Sequence, residues 1–160
     1  MNALLVYPAY PDTFWSFKHV LPFISKKAAF PPLGLLTVAA MLPPSWEKRL
    51  ADVNVAPLGE ADLAWADVVL VSAMLVQTPS ARDIIARAKA AGKRVVAGGP
   101  AFSDQPGRFP GVDHFILGEA EDILPTFLED LQHGRARPVY EAALRPDLGA
   151  TPPPLWELVN

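Results

Sequence analysis

The chain has 160 residues, 51% apolar and 19% charged, with 14 basic and 17 acidic side chains for a net charge of −3. This is long enough for one domain with a real core, and too apolar and aromatic for intrinsic disorder. No basic run exceeds two residues, which disfavours a nucleic-acid surface, and the absence of cysteine excludes a disulfide framework, a thiolate metal site and a cysteine-held iron–sulfur cluster within this chain.

Met1 to Tyr7 is apolar but meets Pro8 with no basic region or cleavage site, so it is not a signal peptide. No apolar stretch approaches the roughly 20 residues that span a bilayer, so no membrane span is expected and the cytoplasm is the default location. Ala3 to Tyr7 reads as a strand buried on both faces. Pro31 and Pro32 precede a helix over Leu33 to Leu42, with Pro43 beyond its end. Leu50 to Val55 reads as a second, weaker strand interrupted by Asp52 and Asn54, and Glu60 to Trp65 as a short helix.

Val68 to Val71 is the clearest buried strand. A helix follows with Thr78 as cap and Pro79 as its first residue, Ile84, Ile85 and Ala88 facing inward, and Gly92 as its stop. Arg94 to Ala97 is the fourth strand, closed by Gly98-Gly99-Pro100, and His114 to Leu117 the fifth. Ile123, Leu124, Phe127, Leu128 and Leu131 form the apolar face of a last helix that Gly134 stops.

Strands alternating with helices at this spacing mean a parallel sheet covered on both faces. Five strands favour a Rossmann-like, flavodoxin-type three-layer α/β/α fold of order 2-1-3-4-5. The expected domain covers residues 1–134. Residues 135–160, ending in Thr151-Pro-Pro-Pro-Leu155-Trp156, read as a Pro-rich linker toward a further domain. The 18 prolines are about twice the usual share of roughly 5% and punctuate these elements.

Such sheets bind ligands outside the carboxyl ends of their strands. The candidate rim is Pro8 and Tyr10 after the first strand, Asn54 after the second, Ser72, Ala73 and Met74 after the third, Gly98, Gly99 and Pro100 after the fourth, and Gly118 and Glu119 after the fifth. It has no His–Asp pair, no nucleophile beside a base and no carboxylate cluster, so it suits binding rather than catalysis. Gly98-Gly99 is either a tight turn or a place where missing side chains let a bulky ligand reach the backbone. Ser72 is either a buried hydroxyl bonded to backbone or a donor to a ligand. Glu119 and Glu121 also suit a helix start.

Residues 8–32 form an unusually long connection without periodicity, carrying Tyr10, Phe14, Trp15, Phe17, Phe23 and Phe30. Aromatics at this density suit a lid on a flat ligand or on a second domain. Left bare, the loop 9–32 favours self-association. His19 reads as a surface residue, and His114 and His133 as structural. No G-x-G-x-x-G follows the first strand and no G-x-x-x-x-G-K occurs, which disfavours a dinucleotide and excludes a P-loop. A phosphoacceptor receiver would need acidic residues where Pro8-Ala9 and Ser72-Ala73 stand.

Phe30 to Ala40, Asp67 to Gln77, Val96-Ala-Gly-Gly-Pro100 and Asp113 to Glu121, with Pro154-Leu-Trp-Glu-Leu158, resemble the N-terminal cobalamin-binding domain of cobalamin-dependent radical S-adenosylmethionine enzymes. The resemblance covers nearly the whole chain. It implies a corrin ring across the strand ends, with its nucleotide tail beside the third and fourth strands. Ser72 matches the serine of the family's S-x-L element, with Met74 in place of the leucine. Gly98 and Gly99 match its glycine pair, and Gly118 and Glu119 the segment lining the tail pocket. The D-x-H-x-x-G element is absent after Tyr7, which implies cobalt without a protein histidine ligand. The iron–sulfur cluster, S-adenosylmethionine and a methyltransferase or related reaction would belong to a downstream radical barrel in the same polypeptide. The alternative is a cofactor-free interaction or substrate-gating cap with the same fold.

Overall fold

The computed structural model describes residues 1–12, 28, 30–103, 106–142, 146–147, 149 and 151–159. Six parallel strands form one sheet: β1 (Asn2–Tyr7), β2 (Glu47–Asp52), β3 (Val68–Ser72), β4 (Arg94–Gly98), β5 (His114–Leu117) and β6 (Val139–Glu141), in spatial order β2-β1-β3-β4-β5-β6. The expected order 2-1-3-4-5 stands, with one strand added. Each strand alternates its side chains between two cores because successive residues point to opposite faces.

On one face Leu4, Val6, Val69, Val71, Val95 and Ala97 pack under α2 (Glu60–Trp65), α3 (Thr78–Ala90) and the short α4 (Pro100–Ser103). On the other, Leu5, Val68, Leu70, Val96 and Ile116 meet α1 (Leu33–Met41) and α5 (Ala120–Gln132). Helices on both faces satisfy a sheet whose central strands are apolar on both sides.

Most boundaries match the sequence reading to within a residue, and three departures have a physical reason. β2 lies upstream of the expected Leu50 to Val55. It is an edge strand, so its outer face tolerates Glu47 and Lys48, and pairing of Asn2 with Glu47 through Tyr7 with Asp52 sets its register. α3 takes in Thr78, whose hydroxyl donates to the Leu75 carbonyl at 2.7 Å, so Gln77 rather than Thr78 is the cap. β6 falls within the stretch expected to be linker. Its pairing with β5 and the 2% exposure of Tyr140 carry the sheet past Gly134. Farther on, the Leu155 N–H donates to the Leu36 carbonyl at 3.0 Å, and Leu155 and Leu158 pack on the α1 core.

Candidate functional site

A cavity of about 340 Å³ opens at the carboxyl edge of the sheet and descends between α1 and α5. The period-2 alternation builds its floor. Leu70 and Ser72 share one face of β3, Val96 and Gly98 the same face of β4, and Ile116 and Gly118 continue it on β5. Each strand thus ends in a large apolar residue followed by a small one. The floor is greasy in its depth and open at its mouth. α1 supplies one wall through Gly34, Thr37, Val38 and Met41, and α5 the other through Ala120, Glu121 and Leu124.

Eight of the expected rim residues line this cavity: Ser72, Ala73, Met74, Gly98, Gly99, Pro100, Gly118 and Glu119. The Ser72 hydroxyl makes no hydrogen bond among the described residues, while the backbone beside it is engaged. The Ala73 N–H donates to the Gly98 carbonyl at 3.3 Å, and the Ala101 N–H to the Ala73 carbonyl at 2.9 Å. Glu119 is the N-cap of α5, with Glu121 and Asp122 in the first turn, where carboxylates meet the positive end of the helix dipole.

The glycines have a local reason as well. Gly99 has φ +93° and Gly118 φ +84°, a region that favours glycine. A Cβ on Gly99 would stand 2.9 Å from the Ser72 hydroxyl, and one on Gly98 would stand 3.0 Å from the Ile116 carbonyl. The missing side chains therefore let adjacent strand ends close on each other while their backbones line the mouth.

Pro8, Tyr10 and Asn54 do not line the cavity. Asn54 closes the neighbouring loops: its Oδ1 accepts from the Tyr10 N–H at 2.8 Å and its Nδ2 donates to the Pro8 carbonyl at 3.1 Å. The residue of β1 that does line the cavity is Tyr7, whose hydroxyl lies 2.7 Å from that of Tyr10. Burial first, and then this hydrogen bond, hold the Tyr7 phenol well above the ordinary tyrosine value, so it stays neutral. Gln77, fully buried, donates to the Pro8 carbonyl and accepts from the Met74 N–H at 2.8 Å.

The helix walls were not foreseen from the sequence, because apolar helix residues read as core. One signal was present: α1, Leu33 to Met41, is apolar nearly all round, and a surface helix of that kind has a second face to cover. Leu33 is 51% exposed at the mouth, and Met74, Leu75 and Val76 are exposed beside it. The expected aromatic lid residues Phe14, Trp15, Phe17 and Phe23, with His19, lie outside the described residues. Phe30 is described and exposed. His114 and His133 stand at the opposite edge of the sheet, where their Nδ1 atoms donate to the carbonyls of Arg137 and Glu129. Among the described residues no cluster of three or more His, Cys, Asp or Glu could hold a metal ion, and no helix is long and apolar enough to cross a membrane.

An α/β sheet with a slot of this kind at its carboxyl edge defines a ligand-binding doubly wound domain. The chain belongs to the B12-binding domain family, which it matches over residues 23–128. It is 43% identical over its full length to an uncharacterized methyltransferase of Synechocystis sp., covering 30% of that protein. It is 38% identical over 98% of its length to the hopanoid C-2 methylase of Rhodopseudomonas palustris, covering 31% of it. The chain thus spans less than a third of the length of these curated relatives. Among solved structures, the N-terminal domain of a hypothetical protein from Thermotoga maritima matches with a TM-score of 0.42 and 17% identity, over 81% of this chain and 89% of that one.

Proposed function

We propose that this chain is the cofactor module of a larger cobalamin-dependent radical S-adenosylmethionine methyltransferase, and that the slot between α1 and α5 receives the nucleotide tail of cobalamin. The observation that carries this reading is the slot itself: apolar in depth and edged by glycine backbone, with the Ser72 hydroxyl, unpartnered among the described residues, at its mouth. Its volume of about 340 Å³ is at the low end of the roughly 300–1,000 Å³ that encloses a drug-sized ligand. That suits a tail rather than a macrocycle, and the exposed Leu33, Met74, Leu75 and Val76 offer apolar surface for the ring outside.

In the bound state cobalamin supplies a cobalt centre able to carry a methyl group. The chain's own residues bind and orient. Ser72 donates to or accepts from the tail, the Gly98-Gly99 backbone admits close approach, and Leu70, Val96 and Ile116 exclude water from the slot. Tyr7 would present a neutral hydroxyl at the strand-end side of the slot, and because no D-x-H-x-x-G element follows Tyr7, the cobalt would be held without that element's histidine. The chain has no cysteine. The iron–sulfur cluster and S-adenosylmethionine therefore belong to a further domain of the same polypeptide, in keeping with relatives of which this chain covers 30% and 31%.

The test is visible absorption after incubation of the chain with hydroxocobalamin and desalting. A corrin spectrum that co-elutes with the protein in stoichiometric amount supports the reading. Colourless protein from both this chain and a longer form with the downstream domain overturns it in favour of a cofactor-free cap.

A further inference from the structure

We infer that the slot selects the cofactor by the base of its nucleotide tail, taking a benzimidazole and disfavouring a purine. This rests on the reading of the chain as a cobalamin holder. The depth of the slot is formed by Leu70, Val96 and Ile116 from three adjacent strands and by Leu124 from α5, all at most 6% exposed. The floor's backbone groups are engaged in the β3–β4 and β4–β5 ladders. Thr37, the one hydroxyl on the α1 wall, donates to the Leu33 carbonyl at 3.1 Å. Among the described residues, the side-chain groups left to bond a ligand stand at the strand ends around the mouth: Tyr7, Ser72, Glu119 and Glu121.

Dimethylbenzimidazole carries two methyl groups on the edge where adenine carries ring nitrogens and an exocyclic amine. In an apolar slot the methyl groups gain by leaving water, whereas the purine's polar edge loses its water and finds no partner. An unpaired buried polar group of this kind lowers affinity on the order of tenfold or more. The discrimination therefore comes from what the walls lack rather than from any one contact.

The experiment compares three probes on the unmodified chain by fluorescence quenching or calorimetry: hydroxocobalamin, the cobamide carrying adenine as its base, and cobinamide, which has no tail. The expected order places hydroxocobalamin at least about tenfold tighter than either of the others. An adenine form that binds as tightly as hydroxocobalamin overturns the selectivity and leaves the cofactor reading standing. Cobinamide binding as tightly as hydroxocobalamin overturns it too, since the tail then contributes nothing. Failure of all three to bind both this chain and the longer form with the downstream domain removes the cofactor reading and the selectivity with it. In a second arm Val38→Asn, a partly exposed wall position on α1, offers the purine a hydrogen-bond partner. It should narrow the gap several-fold, and an unchanged ratio counts against the wall as its source.

Discussion

Gly99 and Ser72 stand so close at the adjoining ends of β4 and β3 that a Cβ on Gly99 would lie 2.9 Å from the serine hydroxyl, on a backbone at φ +93°. Gly99→Ala should therefore destabilise the domain by about 1–3 kcal/mol through backbone strain and crowding together. Adding Ser72→Gly removes the nearest obstacle but neither the strain nor the Ala73 carbonyl at 3.2 Å. The double variant should recover part of the loss, a coupling expected of residues in contact. Urea midpoints of the four proteins measure it, and strictly additive losses would refute the contact.

Gly34 is the contrasting glycine. It lines the slot from the first turn of α1, and a Cβ there would meet nothing within 4 Å. Gly34→Leu should leave stability unchanged or raise it by roughly 0.5–1 kcal/mol, since glycine is a poor helix former. The same side chain projects where the tail is proposed to lie, so retention of hydroxocobalamin on desalting should fall at least several-fold. Full retention in a stably folded variant would show that the slot is not the binding route. Gly99→Leu is no substitute, because it confounds binding with folding.

The central strands were readable because β1, β3, β4 and β5 are short apolar runs bounded by Pro, Ser or Gly, which is what burial on both faces demands. The edges were not. β2 carries Glu47-Lys48-Arg49 because only one side of it is paired, so its apolar part, Leu50 onward, drew the expected strand downstream. β6 is three residues long and held by Tyr140 alone in depth, too brief for a period to emerge. At the site, the strand ends followed from topology. The slot did not, because the gap between α1 and α5 is a matter of how closely the two helices approach, which no residue pattern records. Asn54 was assigned to the rim for its position after β2, yet its amide is consumed in bonds to Pro8, Tyr10 and Asp52.

Gln77 is the polar keystone beneath that rim. Its amide joins the Pro8 carbonyl to the Met74 N–H with no exposure to water. Gln77→Met keeps the volume, leaves the Met74 N–H without its partner and the Pro8 carbonyl with its bond from Asn54 alone, a loss of about 1–3 kcal/mol. Gln77→Glu keeps the acceptor for Met74 but turns a buried carboxylate toward the Pro8 carbonyl. Burial raises such a carboxyl's pKa, so this variant should regain stability as pH falls from neutrality, whereas Gln77→Met should not. Parallel pH trends in thermal melts of the two would contradict the assignment.

Acid should weaken the β4–β5 junction through Asp113. Burial by itself pushes this carboxyl upward. The hydrogen bonds from Lys89 at 2.8 Å and from the Val95 N–H at 2.7 Å, with the charges of Lys89 and His114, outweigh it and hold the group below its ordinary 3.8. The native state thus binds this proton less readily than the unfolded chain. The stabilisation is present above the unfolded value and is lost as pH falls through the lower native one. Asp113→Asn should cost stability at pH 7, because the ion pair goes while one oxygen still serves Val95. The gap between wild type and variant in urea midpoint should shrink as pH drops from about 6 to about 3. Asp130, also held low by Arg135 and Tyr140, adds an acid-sensitive component common to both proteins and leaves that difference untouched. A gap that stays constant over this range would mean that Asp113 does not carry the effect.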